Sequence, residues 1–193
     1  MKNLFLGLLL ISCAPTFAGP EETVDAVVRE ALEIVAGGNG SESTRRMCSL
    51  MRRSVDSGAV AGDILGRVFA SLERDQDGIQ RFVRFIPSIV VDQFQDTIAE
   101  RASGSYRIRG TTPKGSTRVG VLVEFGRHDV VFTLKKNNLK IVDLTWNNIS
   151  LVRNKASDYQ DLLNQFYNRN PESSLPVTDL TRWLESQGIT KCL

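Results

Sequence analysis

The chain has 193 residues, enough for one domain with a real core and too few for two ordinary ones. Hydrophobic residues make up 41% and charged residues 24%, proportions that exclude a disordered chain. A formal net charge of +2 lacks the basic excess that marks nucleic-acid binding, so no nucleic-acid partner is expected.

Residues 1–18 read as an export signal. Lys2 gives a positive start, Leu4 to Ile11 an apolar run, and Thr16-Phe17-Ala18 a small-x-small cleavage pattern with Gly19 as the mature first residue. An apolar run this short cannot span a bilayer, which takes about 20 residues. A competing reading takes Leu10-Ile11-Ser12-Cys13 as a lipobox that leaves a lipidated Cys13, and the soluble product is the favoured one. The expectation is a single mature domain over residues 19–193, exported to the periplasm. Once Cys13 is removed or acylated, Cys48 and Cys192 remain. In an oxidising compartment they permit one pairing, and a Cys48–Cys192 disulfide is expected, with two free thiols as the alternative.

The first half has a helical period. Pro20 can open a helix whose apolar positions are Val24, Val27, Val28, Ala31, Leu32 and Val35, with Gly37-Gly38 ending it. After a polar break at Asn39 to Ser43, a second helix carries Met47, Leu50, Met51 and Val55, with Arg45, Arg46, Arg52 and Arg53 on its wet side. A short helix follows around Val60 to Leu65. From Asp75 to Ala102 runs a long pattern of Ile79, Phe82, Val83, Ile86, Val90, Phe94 and Ile98, which Pro87 should kink or divide.

The period then changes to two. Val119, Val121, Val123 and Phe125 alternate with polar residues, as do Val130, Phe132 and Leu134, and then Leu139, Ile141 and Asp143. Lys135 to Asn138 separates the last two runs as a hairpin turn, and an earlier strand is expected at Ser105 to Thr111. Two helices close the chain, one from about Ala156 to Tyr167 and one starting after Pro176 and stopping near Gly188. The fold class is α+β: a curved antiparallel sheet of about four strands, covered by helices.

Motifs for chemistry are few. His128 and Asp129 form the one His–acid pair, at the start of a strand beside Gly126. A general base there needs a nucleophile or acid brought close by folding, and an exposed hairpin end is the plainer reading. Asp75, Asp77 and Gly78 resemble part of a calcium loop, but the glycine comes too early and a helix start fits better. There is no phosphate loop, dinucleotide fingerprint or Gly-x-Ser-x-Gly elbow, so neither a cofactor nor an enzyme is expected. What remains is apolar: Val121, Val123, Phe132 and Leu134 share one sheet face, to be covered by helices carrying Phe69, Phe82, Ile86 and Phe94. Apolar periodicity alone does not separate a filled core from a ligand cavity.

The run from Leu139 to Asn154 resembles the signature segment of the MlaC (toluene-tolerance auxiliary) family, with Lys140, Ile141, Asp143, Ile149, Ser150, Leu151, Asn154 and the later Tyr159 matching. Phe82, Ile86 and Phe94 resemble the aromatic positions of that family's long helix, after a region like Ile64-Leu65-Gly66. Leu139 stands in place of a tryptophan, Asn148 of a glycine and Lys155-Ala156 of a Tyr-Arg pair, while Phe69 stands where tryptophan is common. The resemblance implies a periplasmic phospholipid carrier working between an outer-membrane lipoprotein complex and an inner-membrane ABC transporter with an MCE-domain protein. Phe69, Phe82, Ile86, Phe94, Val121, Val123, Phe132, Leu134 and Ile141 would line its lipid cavity. The alternatives are a small envelope hydrolase or isomerase built on His128 and Asp129, and a cavity-free adaptor that binds protein alone.

Overall fold

A computed structural model describes residues 19–38, 40–66, 75–99, 105–169 and 175–193, without the side chains of 94–99. The expected export segment, Cys13, Phe69 and the side chain of Phe94 therefore lie outside the described residues. Six helices are described, at Pro20–Ala36 (α1), Ser41–Ser54 (α2), Ser57–Leu65 (α3), Gln76–Ala99 (α4), Leu151–Arg169 (α5) and Pro176–Ser186 (α6). Between α4 and α5 lie five strands, Tyr106–Lys114 (β1), Arg118–Phe125 (β2), His128–Lys135 (β3), Ile141–Trp146 (β4) and Ile149–Ser150 (β5).

The strands pair in chain order as an antiparallel meander, β1-β2-β3-β4-β5. Alternation sorts their side chains: Val121 faces Phe132, Val123 faces Val130, and Phe132 faces Leu144 on the inner side. Two register shifts, at Ile108/Gly110 and Thr133/Leu134, bend the sheet. Gly110 adopts φ 129°, a conformation that side chains disfavour. β5 adds a fifth strand to the four expected. The turn before it puts Asn147 and Asn148 at φ 45° and 66°, a conformation asparagine tolerates.

The helices form a layer over the inner face. α4 packs on α2, α3 and α6, α5 on α3 and α6, and α1 reaches β1 and β2. Pro87 does not divide α4, which runs unbroken from Gln76 to Ala99. α5 begins at Leu151, five residues before the expected start, because two side chains cap it. Ser150 Oγ accepts the Arg153 N–H at 3.1 Å and Asp143 Oδ1 accepts the Val152 N–H at 3.1 Å. Asp143, Ser150 and Leu151 belong to the resembling segment, and in this fold they fix where α5 leaves the sheet.

The link between α2 and α3 is strapped to the far end of the sheet. Val55, expected on the second helix, instead ends it in extended backbone and forms a parallel bridge with Ile141, and the Asp56 N–H donates to the Ile141 carbonyl at 2.9 Å. Asp56 also caps α3 by accepting the Ala59 N–H at 3.0 Å, and it pairs with Lys135 at 2.9 Å. Near the chain's end, Cys48 and Cys192 form a disulfide with Cα atoms 5.2 Å apart. The Cys192 N–H donates to Ser88 Oγ at 2.9 Å, Arg52 donates to the Cys192 carbonyl, and Lys191 pairs with Asp92 at 2.9 Å. The tail is thereby bolted to α2 and α4.

Candidate functional site: an apolar seam between helices and sheet

Binding of an apolar ligand needs an enclosed, dry wall, so the buried inner face of the sheet is where a site would be built. Phe82, Ile86, Val121, Val123, Phe132, Leu134 and Ile141 are all buried, none above 3% exposed, and they belong to one continuous core cluster. Within that core a seam of unfilled space runs between the helical layer and β3–β4. Val27 of α1, Met51 of α2, Val60 of α3 and Val90 of α4 line one side, and Phe132, Ile141 and Leu144 the other. Among its described lining residues only Asp143 is charged, and its carboxylate accepts the Val152 N–H.

The volume of this seam is about 20 Å³, room for roughly one water molecule. Apart from the engaged Asp143 its described lining is apolar, and such a space stays dry. An acyl chain can occupy it only if the helices and the sheet move apart, as Val90 and Phe132 sit on opposite walls.

Of the expected cavity residues, Phe132 and Ile141 are on the seam. Phe82, Ile86, Val121, Val123 and Leu134 are in the surrounding core, away from its surface. The residues that sequence reasoning missed are Val27, Met51, Val55, Val60, Val90, Val142, Leu144, Leu151 and Val152. Helical period picks most of these as core, but nothing in the period says which core positions face a gap.

Phe82 makes an edge-on contact with Tyr159, ring centres 6.1 Å apart, and Tyr159 makes another with Trp183 at 6.3 Å, joining α4, α5 and α6. The Tyr159 hydroxyl is buried with no hydrogen-bond partner among the described residues. Burial, with Asp158 and Asp92 nearby, pushes its ionisation well above the ordinary tyrosine value.

The pair His128 and Asp129 is not brought together. As consecutive strand residues they point to opposite faces of the sheet. The His128 ring lies 5.7 Å from Trp146, and Asp129 is exposed on the other side. The His128 side chain has no hydrogen bond or ion pair with a described residue, and Asp129 faces away from it. The suspected calcium residue Asp75 is spent elsewhere as well. Its carboxylate accepts the N–H groups of Val177 and Thr178 at 2.7 and 3.0 Å and the Thr178 hydroxyl at 2.6 Å, capping α6 from the residue that precedes α4. No helix among the described residues is long and apolar enough to cross a membrane.

A solved structure with the same architecture is that of the phospholipid-binding protein from Ralstonia solanacearum in complex with a phospholipid. It aligns with a TM-score of 0.68 and 12% sequence identity over 91% of this chain and 100% of that one, which establishes a shared fold. No curated protein matches the chain. The family described as MlaC protein matches over residues 22–169, from the first turn of α1 to the last residue of α5. The chain spans every strand and the capped Asp143–Ser150 corner within that match, and it belongs to the MlaC family.

Proposed function

We propose that this protein is a phospholipid carrier of the bacterial periplasm, exported by residues 1–18, that holds acyl tails between its helical layer and its sheet. The observation that carries the reading is the apolar seam, lined on both walls by aliphatic and aromatic side chains in a fold of the MlaC family. The architecture shared with a phospholipid-binding protein supports it.

Energetics explain why such a wall is needed. Two acyl chains hold about 30 methylenes, and exposing them to water costs roughly 25 kcal/mol at about 0.8 per CH₂. A carrier must replace the bilayer with an equally apolar lining, and transfer between the two is then nearly thermoneutral. Such a carrier has no use for a nucleotide of its own. Direction comes from its partners, which on this reading are an outer-membrane lipoprotein complex and an inner-membrane ABC transporter with an MCE-domain protein.

Native mass spectrometry of protein purified from an envelope fraction tests the reading. Phospholipid should accompany the wild-type protein, and Phe132→Glu should give a folded protein without it. A carboxylate facing tails displaces the ligand, whereas one in a closed core unfolds the protein by several kcal/mol. Wild-type protein that arrives empty would refute the carrier.

A further inference from the structure

A second space adjoins the seam at the edge of the sheet. Between the strap at Ile141 and the β5 pairing at Thr145, β4 has no strand on that side among the described residues. Asp143 and Val152 stand at this opening, and they line both the seam and an open recess of about 650 Å³. That volume falls within the range of about 300–1,000 Å³ usual for ligand sites. The seam is apolar and the recess is polar, so the two together match an amphipathic ligand.

The polar groups of the recess are short of partners. Thr133 lies between the inward Phe132 and Leu134 and so points away from the core. It is nevertheless only 7% exposed, it lines the recess, and its hydroxyl makes no hydrogen bond with a described residue. The fold thus leaves a buried donor for whatever fills the space. Lys114 and Arg153 line the recess as well, and neither side chain has a hydrogen bond or ion pair with a described residue. Lys114 lies across Gly120, the register partner of Thr133, where a Cβ would come 3.1 Å from the Lys114 Cε. Both acids of the lining are engaged, Asp63 by Arg118 at 2.8 Å and Asp143 by the Val152 N–H. Three cations therefore face two acids, and one negative charge completes the recess. A lipid phosphodiester carries that charge and arrives joined to the tails the seam would take.

We propose that the recess holds the phosphate of the bound phospholipid, with Lys114 and Arg153 neutralising it and the Thr133 hydroxyl donating to one of its oxygens. The proposal rests on the reading of this protein as a carrier, and it adds a selectivity: the ligand must bear a phosphate as well as two tails.

Competition between two lipids tests it. The full oxidised protein is incubated with vesicles that hold equal parts of phosphatidylglycerol and a diacylglycerol with the same chains, and native mass spectrometry reads the ratio taken up. The wild type should favour the phospholipid. Lys114→Glu combined with Arg153→Glu should lower the ratio by about tenfold or more, since two attractions become repulsions. Thr133→Val removes the hydroxyl without a change of charge and should lower the ratio by about fivefold, with far-ultraviolet dichroism unchanged. The preference should survive millimolar inorganic phosphate, because the free anion lacks the tethering tails. Loss of the preference to inorganic phosphate would make the recess a free-anion site and overturn the proposal, as would the same ratio in the wild type and both variants. Uptake of both lipids without preference would overturn the recess and leave the carrier standing. Uptake of neither would refute the carrier, and the recess would fall with it.

Discussion

Asp75 and Gly78 show how much a single position can hold. Asp75 is 2% exposed, and its carboxylate closes the N-terminus of α6 with three hydrogen bonds across a gap of about a hundred residues. Gly78 lies under that contact. A Cβ there would fall 2.2 Å from the Asp75 Oδ1 and 2.6 Å from the Thr178 nitrogen, so only glycine lets α4 and α6 approach this closely. Asp75→Ala would leave buried N–H groups unpaired, at a cost of about 1–3 kcal/mol. Gly78→Ala should cost about as much through overpacking. Because the two act on one contact, the double variant should lose less than the sum of the singles, as urea unfolding would read. Fully additive losses would mean that the contact is not shared. The sequence offered Asp75 as a helix start, and it does stand just before α4, but a cap given to a remote helix leaves no local spacing to recognise.

At the scale of elements, the strap between the α2–α3 link and the sheet carries a pH signature. Burial alone would raise the Asp56 carboxyl, but the Lys135 hydrogen bond, the Ala59 N–H and the Lys135 charge outweigh it and hold Asp56 below its ordinary value. A carboxyl lowered on folding adds stability above its unfolded value, about 3.9, and that stability is lost as the pH falls through the folded value. Acid unfolding followed by circular dichroism should thus keep a component below about pH 4 that Asp56→Asn removes. An identical acid limb in the variant would show that the strap contributes nothing. Element types were largely legible, because the change from a 3.6 to a 2 period at the middle of the chain reports which surface each segment buries. Boundaries were less so. Leu151 to Lys155 carries little helical pattern and is helical because Asp143 and Ser150 cap it. Pro87 stays inside α4 because the surrounding packing outweighs one missing hydrogen bond. β5, two residues long, is too short to show any period.

For the whole molecule, the disulfide, the strap and the seam set what can move. The bridge closes a separation of 144 residues, and chain-entropy models give such a loop about 5 kcal/mol before any strain. It joins α2, which contributes Met51 to the seam, to a tail that also holds α4 through Ser88. Reduction should therefore speed the loss of bound phospholipid at denaturant levels where far-ultraviolet dichroism is unchanged. Lipid retention that falls only together with helicity would make the bridge a fold element and nothing more. The pairing itself was readable from counting cysteines. The seam was not, because hydrophobic period marks Val27, Val60 and Val90 as buried whether or not the space beyond them is filled. His128 and Asp129 failed as a pair for a reason that strand geometry alone supplies: neighbours in a strand face opposite ways.

The same long closure has a consequence in time. A ribosome adds about 5–20 residues each second, so Cys48 emerges on the order of ten seconds before the residue it must join. Throughout that interval its thiol is unprotected, and in a chain freed of residues 1–18 no other cysteine is present with which it can mispair inside the chain. The hazard is intermolecular: neighbouring nascent copies present the same waiting thiol. Yield of the native monomer should accordingly fall with synthesis rate and crowding at the site of oxidation, with Cys48–Cys48 dimers as the by-product.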